Sequence, residues 1–320
     1  MSTRRLLGAL FACLALSPAA NAEYPDHTIR LVVPFAPGGA VDAIARVIAE
    51  RISGPLGQSV IVDNRGGGGG IVGTDFAARA NPDGYTLLMA SASGMMITPL
   101  LQKLPYEPMK AFTPVALVGQ VPFLLVSTTK LPPTNLQEFI AYAKERPGKL
   151  AYASAGTGTP HHVAGEMFKL ATGTDLIHIP YKGTGPALVD VISGRVAVMN
   201  SEILAALPHV REGQLRALGI AAAKRSPLAP DIPTLKEAGL PNFEVTTWYG
   251  VVAPTGTPPA AVKKLSDTIM KALTEADTRS KLDQIGVIPR GLAGKDFSDF
   301  LVQENAKWTK MVKDTNIKID

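Results

Sequence analysis

The sequence predicts an α/β protein built as a clamshell of two units, with mainly parallel sheets covered by helices on both faces. Three observations carry this expectation. Short β-prone runs alternate with helical spacings along most of the chain, the pattern of parallel sheets. The 320 residues, 46% hydrophobic and 18% charged, suffice for two domains of ~100–200 residues each. Two extended segments, 118–127 and 244–253, stand where the chain would cross between the units and back.

Residues 28–35 read as a strand, with Ile29, Leu31, Val32 and Val33 ended by Pro34 and Pro37. Residues 41–52 have helical spacing, because Val41, Ile44, Ala45, Ile48 and Ile52 share one side. A strand at 59–63, a glycine run at 66–70, a helix near 74–79 and a strand at 85–90 follow. The middle repeats this order: strand 123–127, helix 136–144, strand 150–153, helix 162–171, then short elements at 177–179, 187–193, 197–199 and 215–221. A β-prone segment at 244–253 and helices at 258–273 and 295–312 complete the chain. The expected division is 23–122 with 250–320 in one domain and 123–249 in the other.

The first 22 residues read as an export signal. Arg4 and Arg5 precede the apolar run 6–16, and Ala20-Asn21-Ala22 offers a small-x-small cleavage site. The run is too short for the ~20 residues of a membrane span. Cleavage after Ala22 removes two of the positive charges behind the net +5 and also the single cysteine, Cys13. So weak a positive charge does not argue for nucleic acid. A cysteine-free mature chain excludes disulfides, thiolate catalysis and Cys-ligated metals. An exported chain of this kind suits the periplasm.

Familiar chemical motifs are few. Gly68-Gly69-Gly70-Ile71-Val72-Gly73 fits G-x-G-x-x-G, but no acid follows the strand at 85–90 where a ribose would need one. There is no phosphate loop, Gly-x-Ser-x-Gly elbow or His-Glu-x-x-His. No cofactor or metal site is expected. What remains is a set of strand–loop–helix junctions, at 35–42, 91–94 and 154–159. Glycine admits a ligand to the backbone, and the first N–H groups of a helix lack internal partners, which suits a carboxylate. Hydroxyls of Ser91, Ser93, Ser154, Thr157 and Thr159 add donors. Asp42 is expected to cap the first helix. An exported hydrolase pairing Ser154 with His161 or His162 is the rival from another class.

Tyr24-Pro25, the run from Ile29 through Gly39, and Asp42 resemble the opening of the Bug family, periplasmic receptors of tripartite tricarboxylate transporters. Asp63-Asn64-Arg65, Asn81-Pro82-Asp83-Gly84-Tyr85, Gly158-Thr159 with His162, Pro180-Tyr181-Lys182-Gly183 and Trp248-Tyr249-Gly250 extend the resemblance over the mature chain. It implies a two-domain, type II-like periplasmic binding protein that closes over a small carboxylate without catalysis. It also implies delivery to membrane transporter subunits, by a monomer; sensing by a co-receptor uses the same closure. Carried over, the ligand-binding residues are Phe35, Ala36, Gly38, Gly39 and Ala40, to which the loop hydroxyls add Ser91 and Ser93. Ser154, Gly156, Thr157, Gly158 and Thr159 face them, together with Ser201. The chain departs at Met199-Asn200-Ser201-Glu202, where the family pattern is Met-Phe-Asp-Asn. Ser201 lacks the charge to pair with a ligand amino group, and the neighbouring acid is Glu202.

Overall fold

The computed structural model describes residues 24–315 and Ile317; the expected export signal lies outside them. The chain order is β1 (Ile29–Val33), α1 (Ala40–Leu56), β2 (Val60–Asn64), α2 (Ile71–Ala78), β3 (Thr86–Ser91), the short α3 (Thr98–Leu101) and α4 (Pro108–Ala111), then β4 (Phe112–Thr128). The middle comprises α5 (Leu136–Lys144), β5 (Leu150–Ser154), α6 (Pro160–Thr172), β6 (Leu176–Pro180), α7 (Thr184–Ser193), β7 (Val198–Glu202), α8 (Ile203–Arg211) and β8 (Leu215–Ile220). β9 (Thr246–Pro254), α9 (Pro259–Thr274), α10 (Ala276–Gln284), β10 (Ile288–Ala293) and α11 (Gly294–Thr315) follow.

The strands run in the order β2-β1-β3-β9-β4-β7-β5-β6, with β8 and β10 also paired to β4. Each wing is parallel: β1 pairs with β2 and β3, and β5 with β6 and β7. The middle is antiparallel, which corrects the expectation of mainly parallel pairing. The cause is β4, which runs through both halves. Its residues up to Pro122 pair with β9, and from Phe123 onward with β7 and β8. A strand returning beside one that crosses must run the other way.

Helices cover both faces, and the core divides by sheet face. Strand side chains alternate between the two sides. Ile29, Leu31 and Val33 of β1, with Leu124 and Val126 of β4, pack under α1, α7, α8 and α9. Val32, Phe123 and Leu125 pack on the other face with α5, α6 and α11, around Trp248, Phe168 and Trp308. α1 fits its expected helix because Ile44, Ala45, Ile48 and Ile52 recur on its buried side. α10 and β10 had no sequence expectation. Only Thr278 and Leu282 of α10 are buried, and β10 holds Pro289 and Gly291 with a register shift in its pairing. Neither carries the apolar period that betrays an element.

Candidate functional site

β1 delivers the chain into Pro34-Phe35-Ala36-Pro37-Gly38-Gly39, and α1 starts at Ala40. Gly39 is the N-cap, in extended backbone at φ −97° and ψ 175°, and no side chain caps the helix. Asp42 therefore is not the cap, as the sequence suggested, but stands in the first turn. It accepts from Gly38 N–H at 3.2 Å and Asn64 Nδ2 at 3.0 Å, and pairs with Arg46 at 3.0 Å. Burial pushes its carboxyl up, yet these partners together hold it below the usual range. The helix starts before the apolar spacing shows it because Ala40 is itself buried.

The start of α1 opens into a cavity of ≈ 20 Å³, room for about one water against a threshold of ~10–15 Å³. Phe35, Gly39, Val41 and Ser91, with Thr247 and Tyr249 of β9, form one side. Ala155, Thr159, Pro160, His161, Thr184 and Glu202 form the other. Both halves of the sheet thus contribute walls. Two buried polar atoms of this lining, Thr247 Oγ1 and His161 Nδ1, have no hydrogen-bond partner in the protein. Buried polar groups are normally satisfied, so both positions are open to a water or a ligand atom.

Glu202 is the charged centre of the cavity. It ends β7 opposite Phe123, the first residue of β4 after its change of partner. Glu202 Oε1 accepts from the Tyr249 hydroxyl at 2.8 Å, and Oε2 accepts from Thr184 Oγ1 at 3.1 Å. Oε2 also lies 2.9 Å from His161 Nε2. Burial pushes this carboxyl up, but the His161 charge and the bonds from His161 and Tyr249 outweigh it and hold it below its ordinary range.

Of the residues expected from sequence, Phe35, Gly39, Ser91 and Thr159 line this cavity. Ala36, Gly156 and Thr157 border an outer, solvent-open hollow of ≈ 600 Å³ with Gly68, Gly69 and Lys182. Ala36 N–H donates to Lys182 O at 3.1 Å. Ser93 Oγ lies 2.9 Å from Gly69 O and 3.1 Å from Gly158 O, tying the glycine run to the facing loop. That run is where glycine is obligatory. Gly69 has φ +61°, and a Cβ there would sit 2.0 Å from Thr157 O. The G-x-G-x-x-G pattern therefore has a packing role between facing loops. Gly38 and Ala40 flank the N-cap, and Ser201 lies outside the lining. Ser201 is fully buried, and its Oγ donates to Glu202 O at 3.3 Å. Strand alternation turns Glu202, not Ser201, into the cavity. Thr184, Thr247 and Tyr249 escaped the sequence reading, although Tyr249 lies in the Trp248-Tyr249-Gly250 motif and Thr184 follows Pro180-Tyr181-Lys182-Gly183.

The serine of the rival hydrolase pairs differently from either expectation. Ser154 Oγ lies 2.6 Å from His178 Nε2, while His161 bonds Glu202 and His162 Nδ1 accepts from Gly158 N–H at 3.3 Å. Among the described residues no carboxylate hydrogen-bonds His178, and Ser154 is fully buried. His178 stacks on His162 at 4.0 Å. Burial, then the His162 charge, pushes the His178 pKa down to about 3, and burial takes His162 down to about 4. Ser154 and His178 line neither hollow, and the pair lacks the orienting acid of a catalytic triad.

Residues 44–317 match the family model of the tripartite tricarboxylate transporter family receptor. The chain is 38% identical over 325 residues to Protein BugT of Bordetella pertussis (strain Tohama I), covering 100% of both. A Rhodopseudomonas palustris protein solved with adipate superposes with a TM-score of 0.89 at 36% identity, covering 92% of this chain and 99% of that one. MatC from the same organism, solved with bound malate, superposes at 0.83 and 36% identity, covering 90% of this chain and 100% of that one. The cavity shared by both halves of the sheet is thus set in the fold of periplasmic binding proteins, and the chain belongs to the tripartite tricarboxylate transporter receptor family.

Proposed function

We propose that this protein is a periplasmic receptor that closes over a small carboxylate and hands it to transporter membrane subunits, without catalysis. The observation that carries this reading is the uncapped N-terminus of α1 opening into a cavity with unpartnered Thr247 Oγ1 and His161 Nδ1. Free N–H groups and the helix dipole favour an anion there, by about 0.3–1 kcal/mol at a surface and up to ~2 when partly buried. The neighbours solved with adipate and malate support the ligand class. Phe35, Gly39, Ser91 and Thr159 form the inner contacts in this reading, with Ala36, Gly38, Ala40, Ser93, Ser154, Gly156, Thr157 and Gly158 shaping the three loops. The units are 23–122 with 250–320, and 123–249, hinged at 118–127 and 244–253. The change of partner within β4 at Pro122 and Phe123 supports that division.

The test is a thermal-shift series of small carboxylic acids against their neutral amides. At one hundred times its Kd a ligand adds ~2.7 kcal/mol, which at ~2–4 °C per kcal/mol raises the melting point by about 5–11 °C. Solution scattering on the same samples should show a smaller radius of gyration with ligand. Gly39→Asp is a clean probe because Gly39 has ordinary N-cap backbone angles. Aspartate suits an N-cap, its Cβ would meet Thr184 Cβ at 3.4 Å, and it sets a negative charge where the ligand carboxylate belongs. The acid-induced shift should vanish in Gly39→Asp and persist in Lys310→Ala. Amides that shift the protein as much as acids, or a folded Gly39→Asp that binds normally, would refute the site.

Export is part of the same reading, with a monomer released after cleavage following Ala22. Intact-mass measurement of periplasmic protein should give a chain beginning at Glu23; a retained Met1 or a lipid on Cys13 would contradict it.

A further inference from the structure

The cavity read above as the carboxylate site also contains a fixed negative charge. Glu202 is 3% exposed, and its neighbours hold the carboxyl below its ordinary range despite burial. The residues lining the cavity include no lysine and no arginine. The only ring able to carry a positive charge is His161, and that charge is matched by Glu202 at 2.9 Å. What is left for an incoming anion is the N-terminus of α1, equivalent to roughly half a positive charge. One ligand carboxylate can be met there. Within this inner cavity a second would enter beside the Glu202–His161 pair with no further cation to offset it, which a low-dielectric site disfavours; Lys182 borders the outer hollow instead.

The same geometry welcomes a donor. A carboxylate has about four lone-pair positions, and Glu202 uses three, for Tyr249, Thr184 and His161. Thr184 also links this acid to the helix start, since a Cβ on Gly39 would lie 3.4 Å from Thr184 Cβ. Thr247 Oγ1 and His161 Nδ1 remain buried without partners. Resting on the carboxylate reading above, we infer that the ligand of this receptor is a monocarboxylate that carries a hydrogen-bond donor, such as a hydroxyl, amide or ammonium, in place of a second carboxylate. Adipate and malate, found in the two neighbouring structures, are both dicarboxylates and fall outside that class.

Isothermal titration at pH 7.5 tests this with matched probes: malonate, succinate and glutarate against their half-amides and the hydroxy and amino monocarboxylates of the same chain lengths. The best monocarboxylate should bind wild-type protein at least tenfold more tightly than its matched dicarboxylate. Glu202→Gln keeps an acceptor for Tyr249 and removes the charge, so it should narrow that ratio by tenfold or more. A dicarboxylate that binds wild type as tightly as the best monocarboxylate overturns the inference while leaving the carboxylate site intact. So does an unchanged ratio in a folded Glu202→Gln. Silence from every acid, or neutral diamides that bind equally well, overturns the carboxylate reading and the inference together. The wild-type ratios decide the matter even if the variant does not fold.

Discussion

Replacing Glu202 by alanine should destabilise the protein by about 3–5 kcal/mol, the range for breaking a buried charged pair by removing one partner. The change strips the acceptor from the Tyr249 hydroxyl and leaves Thr184 Oγ1 and His161 Nε2, 3.2 Å apart, with only each other, and each of these residues is buried. Orphaned donors in such a site keep their full desolvation penalty. At ~2–4 °C per kcal/mol the melting point should fall by about 6–20 °C. Tyr249 lies on β9 and Glu202 on β7, with β4 between them, so the loss also loosens the junction of the two halves. Glu202→Gln should lose much less, because an amide oxygen still accepts from Tyr249. Chemical or thermal melts at pH 7.5 decide the point. A loss under about 1 kcal/mol for the alanine variant would show that the network contributes little.

Acid should weaken the fold well before carboxylates protonate. Free imidazole has its pKa at 6.5, whereas folded His178 lies at about 3 and His162 at about 4. Between these values and 6.5 the unfolded chain binds protons that the folded chain refuses. Stability from the pair is therefore complete above about pH 6.5 and falls as the pH drops. Two fully retained shifts would amount to almost 4 kcal/mol at pH 5, and partial exposure of His178 screens some of it, leaving about 2–4 kcal/mol. The rings stack at 4.0 Å, with Tyr152 against His178 and Ser154 Oγ on its Nε2. The Glu166 charge favours protonation of His162, and the Lys169 charge opposes it on both rings. Glu202 and Asp42, whose carboxyls are lowered, lose their contribution only at still lower pH. Melting points from pH 7 to 5 should drop by about 4–16 °C, and the slope should flatten in a His162→Gln/His178→Gln double variant. A flat profile in wild type, or an unchanged slope in the double variant, would remove the histidine pair as the cause.

Where a short stretch of chain carries its own signal, the sequence was informative. The apolar side of α1 is written in Ile44, Ala45, Ile48 and Ile52, and α5 occupies its expected span. The Pro34-to-Gly39 loop announced a tight approach to a helix start, and that start opens the cavity. β4 shows where such reading stops. Its second half was legible as an apolar run, while its first half holds Pro114 and Gly119 and is a strand only because β9 and β10 pair with it.

By itself, then, the sequence determined the export signal as an expectation, the alternation of strands and helices, the glycine-bearing loops and the family. All of these depend on residues close together in the chain. Tertiary structure alone decided which side chains meet. Ser154 reaches His178 because β5 and β6 lie parallel with Tyr152 opposite His178. Glu202 rather than Ser201 enters the cavity because alternation along β7 assigns each residue a face. Tyr249, Thr184 and His161 converge on that acid from three separate elements. A hydrogen bond between residues 18 to 47 positions apart leaves no periodic trace in sequence, since it is set by strand register and by burial.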